Sequence, residues 1–159
     1  MEIVCSTDSK YIMPTGIMLT SLFESNRGEV VNVHLLHDQD SAALLDSIRT
    51  IAARYQQNIH FYLINDDIFE HFPIGLDFQL DHVGTSFATY YRLYLTEILP
   101  ADIDKVIYLD GDILVVDKLV ELWNTSVENY AIAAVPDSYN NKIEHYNRLR
   151  YPQTLGYFN

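Results

Sequence analysis

Short apolar runs alternate with longer stretches of helical period along most of this chain, and few architectures accept that alternation. Ile3 to Ser6 reads as a buried strand that ends in the polar set Ser6-Thr7-Asp8. Pro14 to Phe23 reads as a helix, with the proline in its first turn and Ile17, Met18 and Leu22 on one side. Val30 to Leu36 is a second strand. Asp40 caps a helix over Ser41 to Tyr55, where Leu44, Leu45, Ile48, Ile51 and Ala52 recur at helical spacing. Ile59 to Ile64 is a third strand, and Asn65-Asp66-Asp67 opens a short turn or helix. His71 to Gly84 reads as a loop, and Thr85 to Leu95 as a helix that ends before Pro100. Lys105 to Leu109 is an apolar strand and Ile113 to Val116 a second extended piece. Leu119 to Trp123 is a helical turn, Ala131 to Val135 a further buried strand, and Ser138 to Asn159 lacks a clear period. Strand and helix in alternation predict an α/β fold, a largely parallel sheet with helices on both faces. Ligands of such sheets bind at the carboxyl ends of the strands. The polar residues directly after strands are therefore the candidates: Ser6-Thr7-Asp8, His37-Asp38, Asp110-Gly111-Asp112 and Asp137.

Charge narrows the partners. The 159 residues, enough for one domain with a real core, carry 22 Asp plus Glu against 10 Lys plus Arg, a formal charge of -12. Nucleic acid and anionic lipid both require a basic surface, so neither is an expected partner. An anionic ligand needs a local device here, and a divalent cation between carboxylates and phosphate is the simplest. The 12 Tyr suit half-buried sites with one wet and one apolar ring end. The single cysteine, Cys5, allows no internal disulfide, sits in an apolar run as a buried thiol, and is consistent with a reducing compartment. The first residues lack a basic start and a long apolar stretch, so no signal peptide is expected, and no run approaches the roughly 20 apolar residues of a membrane span.

The strongest local signal is Lys105-Val106-Ile107-Tyr108-Leu109-Asp110-Gly111-Asp112. Two carboxylates flank one residue at the end of an apolar strand, where extended chain puts them on one side. Such oxygens share a hard cation at about 2.0–2.6 Å. Gly111 between them would let a ligand approach the backbone. Asp-x-Asp alone is weak: with 14 Asp in the chain, about one such pair arises by chance. Two others exist. Asp102 and Asp104 precede the strand and read as a solvated turn, while Asp40 reads as a helix cap and Asp38 as a strand end. Metal binding and a plain turn remain nearly balanced for Asp110 and Asp112 on these grounds. Arg92, the one charge in Tyr90-Tyr91-Arg92-Leu93-Tyr94-Leu95, must meet a carboxylate or a phosphate. A structural ion pair to Asp8 or Asp110 competes with a role near a bound diphosphate. The six His show no ligand spacing and read as structural or surface residues. The dinucleotide, P-loop and nucleophile-elbow motifs are absent.

Taken together, the segments resemble glycosyltransferase family 8. Ile3-Val4-Cys5-Ser6-Thr7-Asp8-Ser9-Lys10-Tyr11 is similar to the family's opening strand and uridine-binding loop, although Lys10 stands where Asn is often found. Thr89-Tyr90-Tyr91-Arg92-Leu93 resembles its Tyr-x-Arg-Leu helix, and Asp104 to Asp112 its metal motif with the preceding strand. Leu122-Trp123 and Tyr157-Phe158-Asn159 resemble later family segments. The resemblance implies a Rossmann-like GT-A sheet, a UDP-sugar donor, Mn2+ or Mg2+, and hexosyl transfer to a glycan acceptor with retained configuration. It implies nucleotide contacts from Ser6, Thr7, Asp8, Tyr11 and Gly111, donor contacts from Arg92 and Asn159, and metal contacts from Asp110 and Asp112. Asp110, Arg92 and Asp137 are the implied catalytic set.

The family's later motifs are expected beyond Asn159. The resemblance therefore makes 1–159 the nucleotide-sugar-binding part of a single glycosyltransferase domain. It implies a cytoplasmic protein, with peripheral association at the inner membrane face left to residues beyond Asn159. Two other readings compete: a haloacid-dehalogenase-like phosphatase, which also places Asp-x-Asp after an apolar strand, and a non-catalytic nucleotide-sugar-binding module.

Overall fold

The computed structural model describes residues 1–38, 42–71, 86–135 and 152. It divides into two units, Met1–Trp123 and Asn124–Asn159. The first holds a four-stranded sheet in the order β3-β2-β1-β4, made of β1 (Glu2–Thr7), β2 (Asn32–His37), β3 (Asn58–Leu63) and β4 (Ile107–Tyr108). All three pairings are parallel, as the alternation of strand and helix predicts.

Both sheet faces are covered, which is why β1 reads as a continuous apolar run and not as an alternation. Ile3, Cys5, Val33 and Leu35 pack on helices α1 (Ile12–Ser25) and α2 (Ala42–Arg54), through Met18, Leu19, Leu22, Phe23, Ile48 and Ala52. The helices approach closely at Gly16, where an added Cβ would lie 3.3 Å from Ile51 Cδ1. On the other face Val4 and Leu36 pack with Phe69, Ala88 and Tyr91. His34, also buried there, is bonded through both ring nitrogens, to Glu2 at 2.8 Å and to Tyr62 Oη at 2.9 Å.

The structure departs from the sequence reading in five places. Helix α1 starts at Ile12, two residues before Pro14, and Ile17 is 54% exposed; the buried stripe is Thr15, Gly16, Met18, Leu19, Leu22 and Phe23. The predicted helix at Thr85 to Leu95 is a 3-10 helix, Phe87–Tyr94, running into α3 (Leu95–Ile98). Its three-residue period aligns Ala88, Tyr91 and Tyr94, and the Phe69 ring packs 5.6 Å from Tyr91 and 5.2 Å from Tyr94. Phe69 is presented by a short 3-10 turn, Asp66–Phe69, which Asn65 caps as its sequence suggests.

Only Ile107 and Tyr108 of the predicted strand Lys105 to Leu109 form β4. Ile113 to Val116 forms no strand. Its neighbourhood is latched to α1 by side chains instead: Val115 N–H donates to Ser21 Oγ at 3.0 Å, Ser25 Oγ donates to the Val115 carbonyl at 2.8 Å, and Leu119 N–H donates to Asn26 Oδ1 at 2.8 Å. The chain then forms α4 (Val120–Trp123), the predicted helical turn. In the second unit, Ala131 to Val135 is not a strand, and Ile132 and Val135 are 68% and 79% exposed. A short apolar run signals affinity for a dry surface and does not by itself specify a ladder. Asp40 and nearly all of the predicted loop after His71 lie outside the described residues.

Two measurements check this packing. Asn26 is fully buried and also donates to the Leu22 carbonyl at 2.8 Å. Asn26→Ala leaves the Leu119 N–H unpaired and is expected to lower unfolding free energy by about 2 kcal/mol in urea titration. Burial pushes the Cys5 thiol up to about 12, so it stays neutral across physiological pH. Cys5 is expected to resist a thiol-reactive dye at pH 8 in the native protein and to react at once in denaturant.

Candidate functional site

The polar residues after β1 and β4 meet because the two strands run parallel and adjacent. Ile3 pairs with Ile107 and Val4 with Tyr108, and Leu109 N–H donates to the Val4 carbonyl at 2.9 Å. One step further, Ser6 lies beside the Asp110-Gly111-Asp112 turn. Gly111 seals that contact: an added Cβ would sit 2.7 Å from Thr15 Oγ1 and 3.3 Å from the Ser6 carbonyl oxygen. The sequence reading gave Gly111 a ligand-facing reason. The structure supplies another, since the volume a side chain would need is filled by α1 and by β1's own backbone. Pinning Gly111 fixes where the flanking carboxylates leave the backbone, and both Asp110 and Asp112 are exposed.

The loop after β1 is built from its own polar atoms. Asp8 is buried, and its Oδ1 accepts from the N–H groups of Lys10 and Tyr11 at 2.8 and 2.9 Å, which turns the chain into α1. Thr7, expected among the nucleotide contacts, is 1% exposed; its hydroxyl accepts from Thr15 Oγ1 at 3.0 Å. Its observed part is bracing the loop. Ser6 Oγ lies 2.6 Å from Tyr108 Oη. Burial pushes the Tyr108 hydroxyl above its ordinary value, so it keeps its proton.

Arg92 meets Asp110, the second of the two carboxylates proposed from the sequence. Its Nη2 donates to Asp110 Oδ1 at 2.8 Å, and its Nε donates to the Thr89 carbonyl at 3.1 Å. The guanidinium stacks on the Tyr108 ring, 4.4 Å from the centroid. Tyr108 thus touches both Ser6 and Arg92, a link that the apolar reading of Lys105 to Leu109 missed; the outward polar tip of a strand tyrosine was the available signal. Asp137 and Asn159 lie outside the described residues.

The donor chemistry suits a hard divalent ion. Two exposed carboxylates on a pinned turn are oxygen ligands of the kind Mn2+ and Mg2+ accept, and they leave positions for phosphate oxygens. No third His, Cys, Asp or Glu gathers with them among the described residues. His34 and His37 are buried away from any such cluster. Asp102 and Asp104 lie at the amino end of β4, as expected, beside a groove of about 490 Å3 that Glu2, His60 and Trp123 also line. A groove of about 710 Å3 between α1 and α2 is lined by Met13, Ile17, Leu44 and Leu114. Neither groove reaches Arg92 or Asp110.

The family model described as glycosyl transferase family 8 matches residues 2–159. The chain belongs to glycosyltransferase family 8. A putative glycosyltransferase of Haemophilus influenzae is 30% identical over 100% of this chain and 46% of its own length. The lipopolysaccharide 1,2-glucosyltransferase of Escherichia coli K12 is 25% identical over 100% of this chain and 45% of its own. Among solved structures, the galactosyltransferase LgtC, in complex with donor and acceptor sugar analogs, superposes with a TM-score of 0.88 at 29% identity, covering all of this chain and 55% of that one. The fold is thus the family's GT-A type, and the phosphatase reading falls away. The chain spans about half the length of these relatives.

The role of Gly111 is open to measurement. Gly111→Ala is expected to lower the melting temperature, because Thr15 Oγ1 must be displaced. Adding Thr15→Ala removes the atom in the way, so the double variant is expected to lose less than the sum of the two single losses in a thermal-melt cycle.

Proposed function

We propose that this chain carries the donor side of a family 8 hexosyltransferase, which moves a hexose from a UDP-sugar to a carbohydrate acceptor with retention of configuration. The observation that carries this reading is the exposed Asp110–Asp112 pair at the tip of β4, with Arg92 held 2.8 Å from Asp110, in a chain of that family. Asp110 and Asp112 would hold Mn2+, or Mg2+ in its place. The bound cation would supply charge stabilisation for the departing diphosphate.

The chain's own residues do the rest. Arg92 offers a planar, permanently charged group of the shape that phosphate and carboxylate oxygens accept. Tyr108 fixes the plane of that group from beneath. Ser6, Asp8 and Tyr11 form the rim where the nucleoside would lie, Ser6 through its hydroxyl and Asp8 by shaping the loop. Gly111 sets the separation of the carboxylates from that rim. Asp137 and Asn159 are assigned to the sugar and acceptor side from sequence position alone.

Both units, residues 1–159, belong in this proposal to one nucleotide-sugar-binding part of a single glycosyltransferase domain. No helix among the described residues is long and apolar enough to cross a membrane. A cytoplasmic enzyme, at the inner membrane face where its acceptor is a lipid-linked glycan, fits the reading. The charge of -12 speaks against nucleic acid as a partner.

Isothermal titration with UDP in the presence and absence of Mn2+ tests the proposal. Metal-dependent binding is expected in the native chain, with a loss of at least about tenfold in affinity for the paired change Asp110→Asn and Asp112→Asn. Sugar transfer by residues 1–159 alone is expected to be slight. Unchanged affinity and metal dependence in the paired variant would sink the proposal.

A further inference from the structure

We infer that Arg92 is a resident counter-cation at Asp110 that keeps a divalent ion from loading until a diphosphate arrives. This rests on the metal-site reading above and extends it to the order of loading.

Three contacts of different kinds hold the guanidinium. Nη2 is on Asp110 Oδ1 at 2.8 Å, Nε is on the Thr89 carbonyl at 3.1 Å, and the plane lies 4.4 Å from the Tyr108 ring centroid. Tyr108 is itself tied down by Ser6 at 2.6 Å. Arg92 is therefore set against the carboxylate and does not sample it by chance. The pair is partly open to solvent, with side chains 37% and 48% exposed, so ions and ligands can reach it.

An ion that approaches Asp110 meets one oxygen already engaged and a positive charge a few ångströms away. At a separation of about 5 Å in water, repulsion between a double and a single positive charge is worth roughly a tenfold change in affinity. A diphosphate changes the balance. It gives the guanidinium other anionic oxygens to bond, and it places negative charge between the two cations. Metal and nucleotide then load together, and by linkage each raises the affinity for the other by the same factor.

The test uses Mn2+ alone as the probe, its free concentration followed by electron paramagnetic resonance, on the native chain and on Arg92→Met, Arg92→Lys and Asp110→Asn. Arg92→Met is expected to bind Mn2+ without nucleotide about tenfold tighter than the native chain. It is expected to bind UDP more weakly at saturating Mn2+. The mutual enhancement between metal and UDP should shrink with it. Arg92→Lys keeps the charge and is expected to stay near native Mn2+ affinity. Adding Asp110→Asn to Arg92→Met should abolish the gain.

An Arg92→Met affinity for Mn2+ alone that is unchanged or weaker overturns the inference, while metal-dependent UDP binding through Asp110 leaves the proposed function standing. A gain that survives Asp110→Asn places the metal elsewhere and also overturns it. Failure of every form to bind Mn2+, with or without UDP, removes both.

Discussion

Two residues of parallel pairing between β1 and β4 bring the two loops of the candidate site together. Without Ile3 beside Ile107 and Val4 beside Tyr108, the loop after β1 and the carboxylate turn after β4 would be separate surface features some hundred residues apart in the chain. The pairing is short, so its precision comes from what surrounds it. Gly111 rests on the Ser6 carbonyl and Thr15, and Tyr108 joins Ser6 to Arg92. Backbone register sets the coarse position of these groups, and side-chain contacts from α1 and the 3-10 helix set the fine one.

The electrostatics follow from that placement. An acidic protein that is to hold a diphosphate must gather positive charge at one point, because its overall field repels the ligand. Among the described residues, the structure sets Arg92 on Asp110, a carboxylate that would otherwise add to the repulsion. Its ion pair is half-exposed and contributes little to folding stability. Its significance is that it sets a positive group against Asp110 on one side of the turn.

Much of this was legible in the sequence, for stated reasons. β1, α1, β2, α2 and β3 came from apolar runs and helical period, because each packs a continuous apolar surface. The Asp110 pair came from its place after an apolar strand, and the Arg92 partner from the absence of any other charge on its segment. What failed to show was interaction between polar groups distant in sequence. Nothing local marks Asn26 as the acceptor for Leu119 N–H, or Thr15 as the reason for Gly111. Ala131 to Val135 misled for the converse reason, since apolar composition was taken for a strand where no ladder exists. The packing of Phe87–Tyr94 on Phe69 joins two separate segments, which helical period alone does not encode.

Helix α1 carries one more consequence. Its sheet-facing side includes Thr15, and its far end carries Ser21, Ser25 and Asn26, the residues that grip Val115 and Leu119 just ahead of α4. The helix therefore works as a peg board as well as a hydrophobic wedge: one end locates the carboxylate turn and the other locates the segment that leaves it. Swapping this helix for a more uniformly greasy one, as stability engineering often does, would preserve the core and yet unfasten the strand tip where the chemistry is expected to occur.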